Sequence, residues 1–381
     1  MAKLGMPTVV VKFIEAGIEA IQRSQRGIVA LILEDTKQVI DKLATKTNGH
    51  EVLPNPFLVY TVDDIPEELS DKNKDYILKA LKGYNKPPLK VVVYMMQQGG
   101  DKAGADKFQE PLKAMLTERF DYLAIPTIEN AQLEYVATWV KTARENKFKK
   151  IKVVLPGSNA DYEGVINFGN TKVFTADREY KPAEYTARIA GLVAGTNMTQ
   201  SATYAPLAEV IDCDRHTQDE MDAMVNEGKF FIWYDGEKFK MSRAMNSLVT
   251  TSQGKLEGYQ TIKIVDIMDM IYDDIRKTAQ DSYIGKYTND YENKCLLISA
   301  ILGYFKQLEN ERLLQKDYST CEIDCEAVRI YQLSHGLFTK EELAKMSDDE
   351  VKKLDTKKIV FLKAKVRPLD AMEDIQLPIN I

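Results

Sequence analysis

The chain has 381 residues, 44% of them hydrophobic and 28% charged, a balance that suits two or three packed domains and excludes a disordered polymer. Its formal net charge of −6 argues against a general nucleic-acid binder, which carries a basic patch or stripe. No apolar run approaches the roughly 20 residues that span a bilayer, and Pro7 and Lys12 interrupt the one stretch resembling a secretion signal. Four cysteines, Cys213, Cys295, Cys321 and Cys325, are too few for a disulfide framework, so folding in a reducing cytoplasm is expected.

Residues 6–13 (MPTVVVKF) open the chain as a β-rich segment that includes Val9, Val10, Val11 and Phe13. Residues 15–26 scatter Ile18 and Ile21 among charges and specify only a connector. Residues 27–33 form a continuous apolar run of strand length, which suits a strand covered on both faces of a parallel sheet. The same signal recurs at 57–62, 91–95, 122–126 and 151–155. Between these runs, 73–83 closes on Gly83 as a helix C-terminus does. Residues 131–146 set Leu133, Val136, Ala137 and Val140 at i, i+3, i+4 and i+7, one buried helical face. Such alternation predicts a layered α/β domain over 27–226 with right-handed crossovers, preceded by an N-terminal arm and connector over 1–26.

From residue 227 the pattern changes. Residues 229–233 and 238–241 flank Asp235-Gly236, a strong hairpin signal. Ile264, Met268, Ile271 and Ile275 fall at 0, 4, 7 and 11, and Leu297, Ile301, Tyr304 and Leu308 repeat that spacing, predicting two long amphipathic helices. Thr339 with Glu342 forms a capping-box pattern. In residues 359–366 (IVFLKAKV), Val360, Leu362, Ala364 and Val366 should face a core, while Lys363 and Lys365 face water; Phe361 breaks the pattern. An α+β domain over 227–366 is therefore expected, followed by a C-terminal arm over 367–381 that carries Leu377 and Ile379. An apolar strand at a chain end needs a sheet, either within its own chain, where termini often lie close together, or in a neighbour by β-addition. Charge is compatible with the second arrangement, although exposed pairs contribute little each. Residues 1–26 hold Lys3, Lys12, Arg23 and Arg26 against Glu15 and Glu19, whereas the last 14 residues hold Asp370, Glu373 and Asp374 and no base.

Four constellations invite a chemical reading, and each falls short. Gly195-Thr196-Asn197-Met198-Thr199 resembles the phrase around a subtilisin nucleophile, but Asn197 stands at the serine position. Only His50 precedes it as a base, and neither Ser201 nor Thr199 brings a second triad member. Gly99-Gly100-Asp101-Lys102-Ala103-Gly104 lies where phosphate loops occur, yet Asp101 takes the middle-glycine place and no Gly-Lys-Ser/Thr follows. Asp266, Asp269 and Asp273 share a helical face at 0, 3 and 7, a set that could ligate a divalent cation but fits a solvated or partner-facing surface better. Cys213-x2-His216 and Cys321-x3-Cys325 lack any signal that joins them into a zinc site. A hydrolase or nucleotide-binding enzyme on the α/β domain is thus the alternative reading.

Several phrases taken together point elsewhere. GMPTVVVKFIEAGIEAIQRSQRGIVALIL, RIAGLVAGTNMTQSATYAPLAEV, MSRAMNSLVTTSQ, IKIVDIMDMIYDDIRK, YIGKYTNDYENK and VFLKAKVRPLDAMEDI resemble the contractile tail sheath proteins of myophages, defective prophages and R-type bacteriocins. The resemblance runs through nearly the whole chain in order, and another tail structural component with similar arms is the further alternative. It implies a non-enzymatic subunit without cofactor or metal, whose copies stack as hexameric rings around a tail tube and contract to drive the tube through a target envelope. It implies a subtilisin-like central fold without protease activity, and no direct contact with nucleic acid or insertion into membrane. Further partners would be the tail tube protein and the baseplate and tail terminator proteins. Assembly would take place in the host cytoplasm and action in the tail of a virion or bacteriocin particle. Val9, Val10, Val11, Phe13, Val360, Leu362, Ala364, Leu377 and Ile379 would exchange as strands between subunits. Asp266, Asp269, Asp273, Lys286 and Lys294 are candidate contacts to the tube. Residues 49–90 give little sign of the inserted β-sandwich of larger members.

Overall fold

The computed structural model describes residues 20–45, 55–99 and 104–380. Val9, Val10, Val11, Phe13, His50 and Asp101 lie outside the described residues. Two compact units emerge, one combining residues 23–273 with 368–380 and the other residues 20–22 with 274–367. In the larger unit β1 (Ile28–Asp35), α1 (Lys37–Thr45), β2 (Phe57–Val59), α2 (Asp71–Leu81), β3 (Lys90–Gln97) and α3 (Gln109–Met115) follow one another. Next come β4 (Tyr122–Ala124), α4 (Leu133–Glu145), β5 (Lys152–Pro156), β6 (Val165–Phe168), β7 (Val173–Thr175), β8 (Glu179–Tyr180) and α5 (Pro182–Ala194). The unit ends on β9 (Val210–Cys213), α6 (Gln218–Asn226), β10 (Lys229–Phe230), β11 (Ile232–Tyr234), β12 (Phe239–Met241) and the first part of α7 (Ile262–Thr278).

Seven strands in the order β10-β6-β5-β4-β1-β3-β2 form the main sheet, all parallel except β2, which runs antiparallel to β3. The continuous apolar runs follow from cover on both faces. Ile28, Ala30 and Ile32 pack with Phe108, Leu112, Val136 and Val140, whereas Val29, Leu31 and Leu33 pack with Tyr76, Ile77, Ala80 and Ala190. Residues 57–62 depart from the expected parallel strand. Leu58 is exposed, and the Asp64 carboxylate accepts from the backbone of Tyr60 and Thr61 (2.9 and 2.8 Å), which turns the chain after three residues.

Helix α5 is buried from Tyr185 to Ala194 on every side, so its sequence carries no amphipathic period. Its approach to α2 requires glycine: a Cβ on Gly191 would stand 2.0 Å from the Ala80 carbonyl oxygen. β8, β7 and β9 make a small second sheet. The Asp-Gly hairpin joins β11 to β12, and Asp235 Oδ1 accepts from the backbone of Glu237 and Lys238 (2.9 and 2.8 Å). β10, expected in that hairpin, pairs instead with β6, so the main sheet extends past the boundary expected at residue 226.

The smaller unit holds the end of α7, α8 (Tyr291–Asn310), β13 (Thr320–Ile323), α9 (Cys325–Ser334), α10 (Lys340–Lys345), α11 (Asp348–Val351) and β14 (Leu362–Lys365). On α8, Ile301, Tyr304 and Leu308 are buried as their spacing predicts. At the start of α10 the capping box is formed, with Thr339 N donating to Glu342 (2.8 Å) and Glu342 N to Thr339 Oγ1 (3.3 Å). No helix among the described residues is long and apolar enough to cross a membrane.

Candidate functional site

Within the larger unit, α7 turns its acids inward. Ile262, Val265, Ile267 and Met270 are buried, and Asp269 lies among them at 3% exposure. Its carboxylate receives both terminal nitrogens of Arg144 on α4 (2.9 Å each) and Lys152 Nζ at the start of β5 (2.7 Å). Lys152 also reaches Asp266 (2.9 Å), which accepts in turn from the Tyr122 hydroxyl (2.6 Å). Arg26 bridges Asp121 (2.9 Å) and Asp273 (2.8 Å). Desolvation makes buried charge costly unless it is paired and hydrogen-bonded, and here each acid meets a cation. Burial pushes the Asp269 carboxyl upward, but the charges of Lys152 and Arg144 hold it well below the usual carboxylate range. At Asp266 burial prevails over Lys152 and raises it. The solvated face expected for Asp266, Asp269 and Asp273 is therefore absent. Asp269 is buried, and the half-buried Asp266 and Asp273 have oxygens committed within the chain. The cations responsible lie more than a hundred residues away in sequence, beyond the reach of helical spacing.

The subtilisin-like phrase follows a helix instead of opening one. Gly195 caps α5 where a Cβ would stand 2.2 Å from the Lys86 carbonyl oxygen. Thr196 Oγ1 donates to Leu192 O (2.8 Å), and Asn197 N donates to Asn85 Oδ1 (3.0 Å), so the segment is a packed helix-ending turn. Ser201 Oγ donates to the Glu373 carboxylate of the C-terminal segment (3.1 Å), which Arg243 Nε also pairs (3.3 Å), so that carboxylate is engaged in an ion pair. Burial pushes the thiols of Cys213 and Cys321 up to about 12 and about 11, so both are protonated at neutral pH. Among the described residues, no group of three or more His, Cys, Asp or Glu side chains could hold a metal ion.

In the smaller unit β13 and β14 pair antiparallel, with Ile323 opposite Leu362, Glu322 opposite Lys363 and Cys321 opposite Ala364. Directly opposed residues share a face, so Leu362 and Ala364 lie on the side of buried Cys321 and Ile323, and Lys363 meets Glu322 on the other (3.2 Å). The cover is incomplete. Leu362 packs half-buried on a cluster built around Ile323, Val328 and Val351, but Ala364 and Val360 remain exposed. Phe361 joins that cluster, which reverses its expected outward placement. Each of the two strands has one sheet neighbour among the described residues and leaves its other edge open. Of the lysines expected at a surface, Lys286 is exposed, whereas Lys294 is buried and desolvation lowers its pKa. Leu377 and Ile379, at the C-terminal end, are 75% and 76% exposed.

A family model described as phage tail sheath protein central domain matches residues 101–247, and one described as phage tail sheath C-terminal domain matches residues 255–381. The chain is similar to a curated Tail sheath protein of Clostridium phage phiCD119, with 32% identity over 382 residues that cover 99% of each protein. Among solved structures, the helical sheath of the anti-feeding prophage in its contracted state aligns with a TM-score of 0.68 and 13% identity over 99% of both chains. The sheath tail protein of Desulfitobacterium hafniense aligns with a TM-score of 0.67 and 19% identity, covering 83% of this chain and 94% of that one.

Proposed function

Because this chain belongs to the phage tail sheath protein family, we propose that it is the structural subunit of a contractile sheath, stacked as hexameric rings around a tail tube. The observation that carries this reading is the correspondence with a curated Tail sheath protein from end to end, not in one domain alone. The open edges of β13 and β14 support it physically, since an arm from a neighbouring copy would gain ladder hydrogen bonds there. Such links hold the lattice together while it shortens. The stored energy is released as copies form more favourable contacts, so the cycle needs no nucleotide and no covalent step. Partners are further copies of the chain, the tube protein, and the baseplate and terminator proteins. The subunit assembles in the host cytoplasm and acts in the particle's tail. Of the five charged candidates for tube contact, Lys286 is exposed, with its ammonium donating to the Asp281 carbonyl oxygen.

Electron microscopy of the purified protein tests the proposal. Hollow striated cylinders are expected, and discrete particles under all assembly conditions would overturn it. Deleting residues 1–14 or 368–381 should leave a folded subunit that builds no cylinders. Labelling of Ser201 by a serine-hydrolase probe would return the enzyme reading.

A further inference from the structure

Beyond β14 the chain returns to the larger unit, where residues 368–380 lie without regular secondary structure. The Glu373 carboxylate sits among three donors: Ser201 Oγ (3.1 Å), Thr203 Oγ1 (2.6 Å) and Arg243 Nε (3.3 Å). Arg243 Nη2 also holds Asp374 (2.5 Å). The hydroxyls are themselves fixed. Thr203 Oγ1 accepts from Ala244 N (2.9 Å), Ser201 Oγ accepts from Thr203 N (3.1 Å), and the two hydroxyl oxygens lie 2.8 Å apart in a hydrogen bond of their own, so the pair is locked as a unit against the carboxylate, with Thr203 making the shorter contact. The Glu373 side chain is 15% exposed, while Ile375, a short step further on, is 83% exposed. The acids are thus held and the apolar residues after them are not.

We infer that Ser201, Thr203 and Arg243 form a clasp for the root of the C-terminal arm, and that the clasp positions residues 375–381 for capture by a second copy of this chain. The inference rests on the sheath reading. A contact that stored the arm away would cover Ile375, Leu377 and Ile379, and this one leaves them bare. The six exposed residues 375–380 reach about 20 Å when extended. Opening the clasp leaves Asp370, which accepts from Thr261 Oγ1 (3.5 Å), as the last held residue, so the free segment grows from 375–380 to 371–380 and local concentration, falling roughly as the −3/2 power of length, drops about twofold. Direction is lost as well.

The test compares the wild-type protein with Arg243→Glu and with the double variant Glu373→Ala/Asp374→Ala, which alters only the arm. Two quantities are read: the rate at which a glutamyl endopeptidase cuts after Glu373 in the unassembled protein, for wild type and Arg243→Glu, and the protein concentration at which cylinders first appear. Arg243→Glu should speed cleavage at least tenfold, and both variants should raise the critical concentration about twofold or more without loss of folded subunit. Unchanged cleavage overturns the clasp. Faster cleavage with an unchanged or lowered critical concentration overturns its positioning role. If the wild type builds no cylinders, the sheath reading fails, and the cleavage rates still decide whether the clasp exists.

Discussion

The two sheets show opposite degrees of completion. The main sheet of the larger unit has helices on both faces and buries even its charges in pairs, whereas the two-stranded sheet of the smaller unit leaves Ala364 of β14, and Val360 just before that strand, exposed. Both sheets end on edge strands, but one chain covers both faces of a sheet in one region and leaves an apolar strand face partly bare in another. For a polymerising subunit that division fits the proposed strand exchange: the finished region would supply a rigid body, and the unfinished region the means of joining.

The sharpest way to break this contrast is to remove a charge from the finished region. Lys152→Met leaves Asp269 and Asp266 short of a buried cation and should cost about 3–5 kcal/mol, read as a lower denaturant midpoint of the purified subunit. A cost below 1 kcal/mol would show that the cluster is solvated and the region less complete than it looks.

A pH titration sharpens the same point at a second pair in the larger unit. Burial pushes the Glu209 carboxyl up, but Arg188, 2.5 Å away, brings it down to about 2 from an ordinary 4.5. A depressed carboxyl stabilises the folded state in full above pH 4.5 and loses that contribution as pH falls toward 2. The loss should be roughly 3 kcal/mol. Glu209→Gln should be less stable at neutral pH and show a flatter acid limb in thermal unfolding; an acid limb as steep as wild type would place the titrating group elsewhere.

In the unfinished region the same class of change should act on assembly more than on folding. Leu362→Lys removes a half-buried contact to the Ile323 cluster, at a cost of about 1–2 kcal/mol, and should abolish cylinders while most subunit stays soluble. Lys363→Leu loses only the exposed pair with Glu322 and should change stability by less than about 0.5 kcal/mol. The two are best made side by side and scored by soluble yield and cylinder count. If Lys363→Leu is the more harmful, the buried face of β14 has been assigned the wrong way round.

Periodicity and local chemistry in the sequence alone determined the strands at 28–33, 91–95, 122–124 and 152–155, the buried face of α4, the Asp-Gly hairpin and the capping box at Thr339. These depend on neighbours within a few residues, or on burial so complete that every position is apolar. Phrases spread over the chain also revealed its family. Tertiary structure decided the rest. Helix α5 has no polar face to mark its period. The acids of α7 look solvent-facing until Arg144 and Lys152 are brought to them, and Ser201 looks like the remnant of a catalytic phrase until Glu373 arrives from 172 residues away. In each case the deciding partner is distant in sequence, and electrostatic pairing, unlike hydrophobic periodicity, leaves no trace at the spacing of a single element.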